Sequence, residues 1–421
     1  MPIAPSAAPP ALRTVDEHLA TVLAAAAPLP DETVRVEDAL GRTLAAAVRA
    51  RVDAPLFDNS AMDGYAVRYP DVAGATAAHP IALRVIADLP AGSTVEPELG
   101  AGDAVRIMTG APVPRTATAV VPFENTRDGL QGIDAPAVVT TAPVREGAHI
   151  RRRGEELRAD AEVAAAGTVV GPLQLTSFAV VGVDTIVVRR RPRVAVISTG
   201  SELAPAGGTF AHGQIPESNS VLLSSLCAQA GAEVISVETV KDEDAAFEAL
   251  LERAVAQASA DVVVTSGGVS AGAHEVVKNV LRDRIEFVAV GMQPGRPQAF
   301  GRLDDTLVFG LPGNPASVAV SFEAFVRPAL LALQGREPLH RPALRLAATT
   351  GWRSPAGRRQ YVPVTLDRSN PAAWSVRPAS ADGSSGSHLA AGLARADAYA
   401  VVPEDISAVT AGDLVDVMLL S

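Results

Sequence analysis

Apolar residues recur along this chain in several rhythms, and the changes between them divide it. After the Pro/Ala-rich residues 1–10, which read as a flexible tail, "TVDEHLATVLAAAA" has apolar residues at helical spacing. Thr14 and Glu17 stand three positions apart there, as in a capping box. From about 50 to 150, short β-rich runs such as "IALRVIA" and "ATAVVPFEN" alternate with Gly, Pro and Asp turns. The stretch "LRADAEVAAAGTVVGPLQLTSFAVVGVDTIVVRRRP" returns to helix and turn signals. It is expected to pack with the N-terminal helix, which makes the β-rich segment an insertion. Residues 191–335 alternate apolar strands ("RVAVIS", "AEVISVETV", "DVVVTS", "IEFVAV", "TLVFG") with helical patterns. The latter are "SVLLSSLCAQA", "DAAFEALLERAVAQA", "HEVVKNVLRD" and "PASVAVSFEAFVRPALLAL". That alternation predicts a mostly parallel, doubly wound α/β sheet with helices on both faces. The predicted organisation is therefore α/β plus β and multidomain. A discontinuous helical unit (1–50 with 150–190) carries an inserted β-rich domain (51–149). An α/β domain (191–336) and a small C-terminal β domain (337–421) follow.

Composition narrows the function classes. Hydrophobic residues make up 48% and charged residues 20%, enough apolar material for sizeable cores. Aromatics at 4% argue against stacking platforms for single-stranded nucleic acid, and a net charge of −11 argues against a general polyanion binder. A single cysteine, Cys227, excludes an intrachain disulfide and a multi-cysteine zinc site. The N-terminus has no signal-peptide pattern, and "LATVLAAAAPLP" is too short to span a bilayer. The expectation is a soluble cytoplasmic protein without nucleic-acid or membrane partners.

Candidate chemistry lies in the turns that follow the α/β strands. "TSGGVSAGAHE" ends a strand in Ser266, Gly267 and Gly268, with Ser270 and Glu275 close behind. Glycines let a backbone approach a bound group, and the helix that follows points free N–H groups at the turn. The same stretch also serves as a plain strand–helix turn, and Glu275 as a first-turn acid matched to the helix dipole. "VAVISTGSEL" repeats the arrangement with Ser198, Thr199, Gly200 and Glu202, and "VFGLPGNPAS" with Pro312, Gly313, Asn314 and Pro315. Three such turns on one sheet edge predict a ligand cleft. "PLFDNSAMDGYAV" and "AVRIMTGAPVP", with Asp58 and Thr109, are polar turns that packing alone does not explain.

Six stretches in order, "DNSAMDGYAV" (58–67), "RIMTGAPVP" (106–114), "RPRVAVISTGSEL" (191–203), "TSGGVSAG" (265–272), "QPGRP" (293–297) and "GLPGNPAS" (310–317), span most of the chain. Through them the chain resembles the MoeA family of molybdopterin molybdenumtransferases, related to the C-terminal part of gephyrin. The resemblance implies insertion of molybdenum from molybdate into adenylyl-molybdopterin, with Mg²⁺ and release of AMP. It implies a discontinuous linker domain, and an elongated homodimer whose active sites lie between one subunit's α/β domain and its partner's inserted domain. The molybdopterin adenylyltransferase of the same pathway is a further expected partner. Adenylyltransferase activity and a gephyrin-like scaffold are the alternative readings. The inserted and C-terminal domains favour the transferase.

Carried over by resemblance, Asp58, Thr109 and Glu202 are the catalytic candidates. Ser198, Thr199, Gly200, Ser266, Gly267, Gly268, Ser270, Arg296, Pro312, Gly313, Asn314, Pro315 and Arg151 are substrate contacts, and Glu202, Asp242 and Glu275 are metal ligands. Ser384 or Ser385 is a candidate C-terminal contact. The chain departs from the family pattern at Ser201, Glu156 and Glu275, each commonly Asp, at Arg296, commonly Lys, and at Gln293, often Lys. Losing the carboxylate at Ser201 is expected to weaken Mg²⁺ binding.

Overall fold

The computed structural model describes residues 12–129, 133–270, 275–380 and 390–420. The expected tail at 1–10, together with His274, Ser384 and Ser385, lies outside the described residues.

The α/β domain is built on a six-stranded sheet in the order Glu233–Val240, Arg193–Thr199, Val262–Ser266, Thr306–Leu311, Pro297–Leu303, Glu286–Ala289. The first four strands are parallel, and the last two are antiparallel. Alternation along the strands sends Val194, Val196, Val262, Val264 and Phe309 into one core, against Leu223, Cys227, Phe322 and Leu330. Ala195, Ile197, Val263 and Val308 enter the other, against Phe247, Leu251, Val277 and Leu281. Both faces are covered, which is why these strands read as unbroken apolar runs. Cys227 is fully buried, and that burial pushes its thiol up to about 12, so it is an inert packing residue.

Two features differ from the expectation. Pro297–Leu303 is a strand the sequence pattern hid: it is broken by Gly301 and Arg302 and turns back through Asp304, at φ 51, onto Thr306–Leu311. It places Glu286–Ala289 antiparallel at the sheet edge. The capped helix Val15–Ala25 forms as expected, with Thr14 and Glu17 bonded reciprocally. It does not pack with residues 157–189. Its buried face of Val15, His18 and Val22 lies on the long helical segment after Pro315, with His18 edge-on to Phe325 at 4.6 Å. Arg13 pairs with Glu286 and Asp16 with Arg359, so polar anchors flank the buried face. The partner of residues 157–189 is instead the segment after the helix: Asp31–Arg35 pairs with Thr185–Arg189, around a core of Leu44, Val48, Phe178 and Val188.

The inserted segment forms a five-stranded sheet around Gly64–Val67 and Asp103–Ile107. Tyr65 and Val67 face one apolar cluster and Ala66 the other. A Cβ at Gly64 would lie 2.0 Å from the Val121 carbonyl oxygen, so this residue of the "MDGYAV" stretch is fixed by strand packing. In the C-terminal region, Arg359–Asp367, Ser375–Pro378, Ala343–Ala348, Leu414–Leu419 and Ala398–Val402 close into a small barrel. Among the described residues one helix, Pro315–Leu333, has the length and apolarity to cross a membrane; 83% of it is buried within the protein.

Candidate active site

The three glycine-bearing turns meet. Parallel strands end side by side, so the turns after Thr199, Ser266 and Leu311 share one rim. They enclose a cavity of ≈ 410 Å³. Its wall includes Thr199, Gly200, Glu202, Asp242, Gly267, Gly268, Ser270, Glu275 and Pro312 through Pro315.

Close approach explains the glycines. Gly267 has φ +91, and a Cβ there would lie 2.5 Å from the Thr199 carbonyl oxygen and 2.8 Å from its Oγ1. No other residue type lets the first two turns come this near. The third turn is held from below. Asn219 Nδ2 donates to the Gly313 carbonyl at 2.7 Å, and Asn314 Oδ1 accepts from the Ala316 N–H at 3.1 Å. Asn314 thus caps the long helical segment and Pro315 opens it, so the positive end of that segment faces the cavity. The helix after Glu275 is only Val276–Leu281, six residues, and is the lesser contributor.

Two of the carboxylates are also tethered. Asp242 Oδ2 accepts from the Ser201 N–H at 2.9 Å, and Glu275 Oε2 from the Ser270 N–H at 2.8 Å. Glu202 folds back over Gly200, where its oxygens leave no room for a Cβ. Among the described residues no three His, Cys, Asp or Glu groups converge as a metal cage. That donor set suits Mg²⁺, which takes one or two carboxylates and completes its shell with water and substrate phosphate oxygens.

Other expected contacts lie elsewhere. Ser198 and Ser266 are paired neighbours inside the sheet and bond each other at 3.1 Å beneath the floor, without lining the cavity. Arg296 is exposed on the turn before Pro297; Pro297 reaches the wall and Arg296 does not. Arg151 pairs by backbone with Asn59, while its neighbours make the ionic contacts. Arg152 reaches Asp58 Oδ2 at 2.6 Å, the Arg153 N–H reaches Asp58 Oδ1 at 2.7 Å, and the Arg153 guanidinium holds Asp53.

Asp58 lines a separate cavity of ≈ 420 Å³ in the inserted domain, with Leu56, Phe57, Val113, Arg115 and Arg152. Burial pushes its carboxyl up, but the Arg153 N–H and the Arg152 guanidinium outweigh this and hold it below the usual carboxylate range. Asp63 accepts from both the N–H and the hydroxyl of Thr109, at 2.6 and 2.8 Å, and those bonds hold it low as well. The two cavities share no lining residue. Within one chain, Asp58 and Thr109 are therefore not brought to Glu202.

Sequence reasoning missed Asn219, Asp63 as the partner of Thr109, and Arg152 and Arg153 as the partners of Asp58 and Asp53. Only Asn219 left a local trace, the polar "ESNS" that leads into the helix Asn219–Gln229.

Comparison with known proteins adds an independent line. Residues 13–182 match the MoeA N-terminal region (domain I and II), residues 195–332 a probable molybdopterin binding domain, and residues 345–420 the MoeA C-terminal region (domain IV). The chain is 43% identical over 412 residues to molybdopterin molybdenumtransferase 2 of Mycobacterium tuberculosis, covering 95% of this chain and 98% of that one. It is 31% identical to the molybdopterin molybdenumtransferase of Haemophilus influenzae, covering 93% and 94%. Among solved structures it is similar to a molybdopterin biosynthesis MoeA protein from Pyrococcus horikoshii. The TM-score is 0.80 at 30% identity, covering 98% of this chain and 100% of that one.

Proposed function

From the premise that this chain belongs to the MoeA family of molybdopterin molybdenumtransferases, we infer that its cavity at the strand ends holds adenylyl-molybdopterin while molybdenum is inserted and AMP leaves. The chain is a molybdopterin molybdenumtransferase of molybdenum cofactor synthesis, and molybdate is its metal source. The observation that carries the finer reading is the convergence of three backbone-lined turns and three carboxylates, two of them tethered, on one ≈ 410 Å³ space.

The chemistry has a plain electrostatic problem: a phosphorylated, adenylylated pterin must meet an oxyanion. The Gly267–Gly268 turn lets a phosphate approach the backbone without adding bulk, and the positive end of the long helical segment opening at Pro315 favours its charge. Glu202, Asp242 and Glu275 are the residues from which one or two would hold Mg²⁺, which when bound would neutralise charge on the phosphoanhydride. Asn219 fixes the Gly313 carbonyl and so keeps the third turn open to the ligand. Thr199 packs beneath Gly267 and sets the depth of the floor. Arg296, beside the rim, is the contact for an oxyanion arriving from that side.

Asp58 and Thr109 complete the site from a second copy of the chain. Their separation from the cavity within one chain, and their ordering by Arg152, Arg153 and Asp63, support this reading. A homodimer with shared sites follows. The exposed face of the helix Pro172–Val180, with Leu173 and Val180 and no charged residue, is a surface suited to contact between copies. The division into a discontinuous linker (1–50 with 150–190), inserted (51–149), α/β (191–336) and C-terminal (337–421) domains, a cytoplasmic location and substrate supply by the pathway's adenylyltransferase belong to the same proposal.

The test is a defined reaction of purified protein with adenylyl-molybdopterin, molybdate and Mg²⁺. The expected outcome is AMP release and activation of a molybdoenzyme that lacks its cofactor. Adenylylation of molybdopterin from ATP without AMP release from the adenylylated substrate would replace this reading with the adenylyltransferase one.

A further inference from the structure

Three guanidiniums gather where the chain enters and leaves the α/β domain. Arg191 lies on the connection between the strands Thr185–Arg189 and Arg193–Thr199, and Arg336 follows the helix Arg327–Leu333. Both reach one turn near the start of the chain. Arg191 Nη2 donates to the Leu40 carbonyl at 3.4 Å, and Arg336 Nη2 donates to the carbonyl of the next residue, Gly41. Arg336 Nε adds a bond to Thr43 Oγ1 at 3.0 Å. Between these acceptors in the chain stands Arg42, which is buried and donates to the Arg189 carbonyl at 2.8 Å.

The charges here do not balance. The acids of this region are already engaged: Glu32 by Arg42, Asp31 by Arg189 and Glu323 by Arg341. Among the described residues no carboxylate pairs with Arg191 or Arg336, and Arg336 Nη1 has no protein acceptor. Carbonyl oxygens satisfy N–H geometry but carry no net charge. Burial first, and then the guanidiniums of Arg327, Arg191 and Arg42, hold Arg336 below the usual arginine range. A partly buried cation without a counter-charge costs stability. Arg42 is buried, Arg336 half-buried and Arg191 exposed, so the group opens to solvent on the Arg191 side.

We propose that a tetrahedral oxyanion with the charge of sulfate or phosphate binds between Arg191 and Arg336. A guanidinium fork presents paired N–H donors to two oxygens of such a group, and two forks match a dianion. Bound there, the anion ties the entry and exit of the α/β domain to the turn at Leu40 and Gly41. The site shares no residue with the strand-end cavity, so it stands independently of the adenylate reading.

Calorimetric titration of the full-length protein with inorganic sulfate, and separately with phosphate, tests this at an ionic strength held constant with chloride. Both are expected to bind, because guanidiniums only donate, and to protect residues 38–43 and 334–337 from hydrogen exchange. Arg191 is exposed, so its replacement leaves the fold intact. Arg191→Gln is expected to weaken binding by about tenfold, the usual loss of a charge-assisted hydrogen bond. Arg296→Gln, at the other cavity, leaves the protection at 38–43 unchanged. Thermal melts add a test of sign. In chloride Arg191→Gln relieves repulsion and melts above the parent; in sulfate the parent gains the bound anion and melts above Arg191→Gln. An arginine that only holds the Leu40 turn would lower the melt in both salts when replaced. Neither anion binding at those residues, binding unchanged by Arg191→Gln, or an Arg191→Gln melt below the parent in chloride overturns the inference.

Discussion

The two cavities hold their polar groups by partly different means. At the α/β rim the architecture is backbone: strand ends converge, glycines let the turns touch, and Asp242 and Glu275 are tied to backbone N–H groups. In the inserted domain a guanidinium joins the backbone: Asp58 accepts from Arg152 as well as from the Arg153 N–H, and outside that cavity Asp63 accepts from Thr109. The first offers glycine-lined turns at the end of a parallel sheet, and the second a carboxylate held beside a guanidinium. The proposal that each completes the other across two copies of the chain turns this difference into tests.

The strongest way to break that comparison is complementation. Glu202→Ala and Asp58→Ala are each expected to lose more than about 100-fold in AMP release, as for groups acting on the reacting atoms. If the two cavities complete each other across a symmetric dimer, mixing the two inactive proteins forms hybrids with one intact site. Activity then recovers to about a quarter of the parent by random pairing. No recovery, with subunit exchange verified, would put the two residues in independent roles.

Glycine substitution sharpens the contrast. At Gly267 a Cβ meets the Thr199 carbonyl at 2.5 Å in a positive-φ turn, whereas at Gly110 (φ +82) nothing lies within 4 Å. Gly267→Ala is expected to cost about 3 kcal/mol or more from steric clash and strain together, with AMP binding lost. Gly110→Ala pays backbone strain alone, about 1–2 kcal/mol. Thermal melts with AMP titration separate the two.

Acid separates the regions again. Burial depresses His18, beneath the α/β domain, to about 4, from 6.5 unfolded. Its contribution to stability is full above pH 6.5 and is lost as pH falls from there toward 4, because the unfolded chain binds the proton first. Asp58 and Asp63 are held low, so their contributions persist until pH drops below the ordinary carboxylate range. Hydrogen exchange between pH 7 and pH 4.5 should loosen the helix Val15–Ala25 before the Asp58 and Thr109 turns. His18→Phe should abolish that early loosening.

The smallest effect is at the same helix. Thr14→Ala removes the capping box and is expected to cost about 1 kcal/mol, read as a lower melting temperature with unchanged AMP affinity.

What the sequence made legible was local. Unbroken apolar runs before Thr199, Ser266 and Gly310 gave the parallel strands, the glycines marked turns at their ends, and Thr14 with Glu17 marked a helix start. What it hid was long-range pairing. Nothing in "TVDEHLATVLAAAA" says which surface its apolar face will cover, so its docking on the segment after Pro315 was not foreseen. "PQAFGRL" mixes apolar residues with Gly and Arg, and its strand character comes from pairing with Thr306–Leu311. The same holds at the site. Three adjacent arginines are equivalent in sequence until the backbone turn at 152–154 gives Asp58 to one and Asp53 to the next. The Ser201–Asp242 hydrogen bond joins residues 41 positions apart.

The most direct test of the central claim is amide hydrogen exchange of the full-length protein with and without AMP and Mg²⁺. Protection is expected to concentrate in residues 199–203, 266–270 and 311–316, the three turns of one rim. Protection confined to other surfaces, or to only one of those turns, would contradict it.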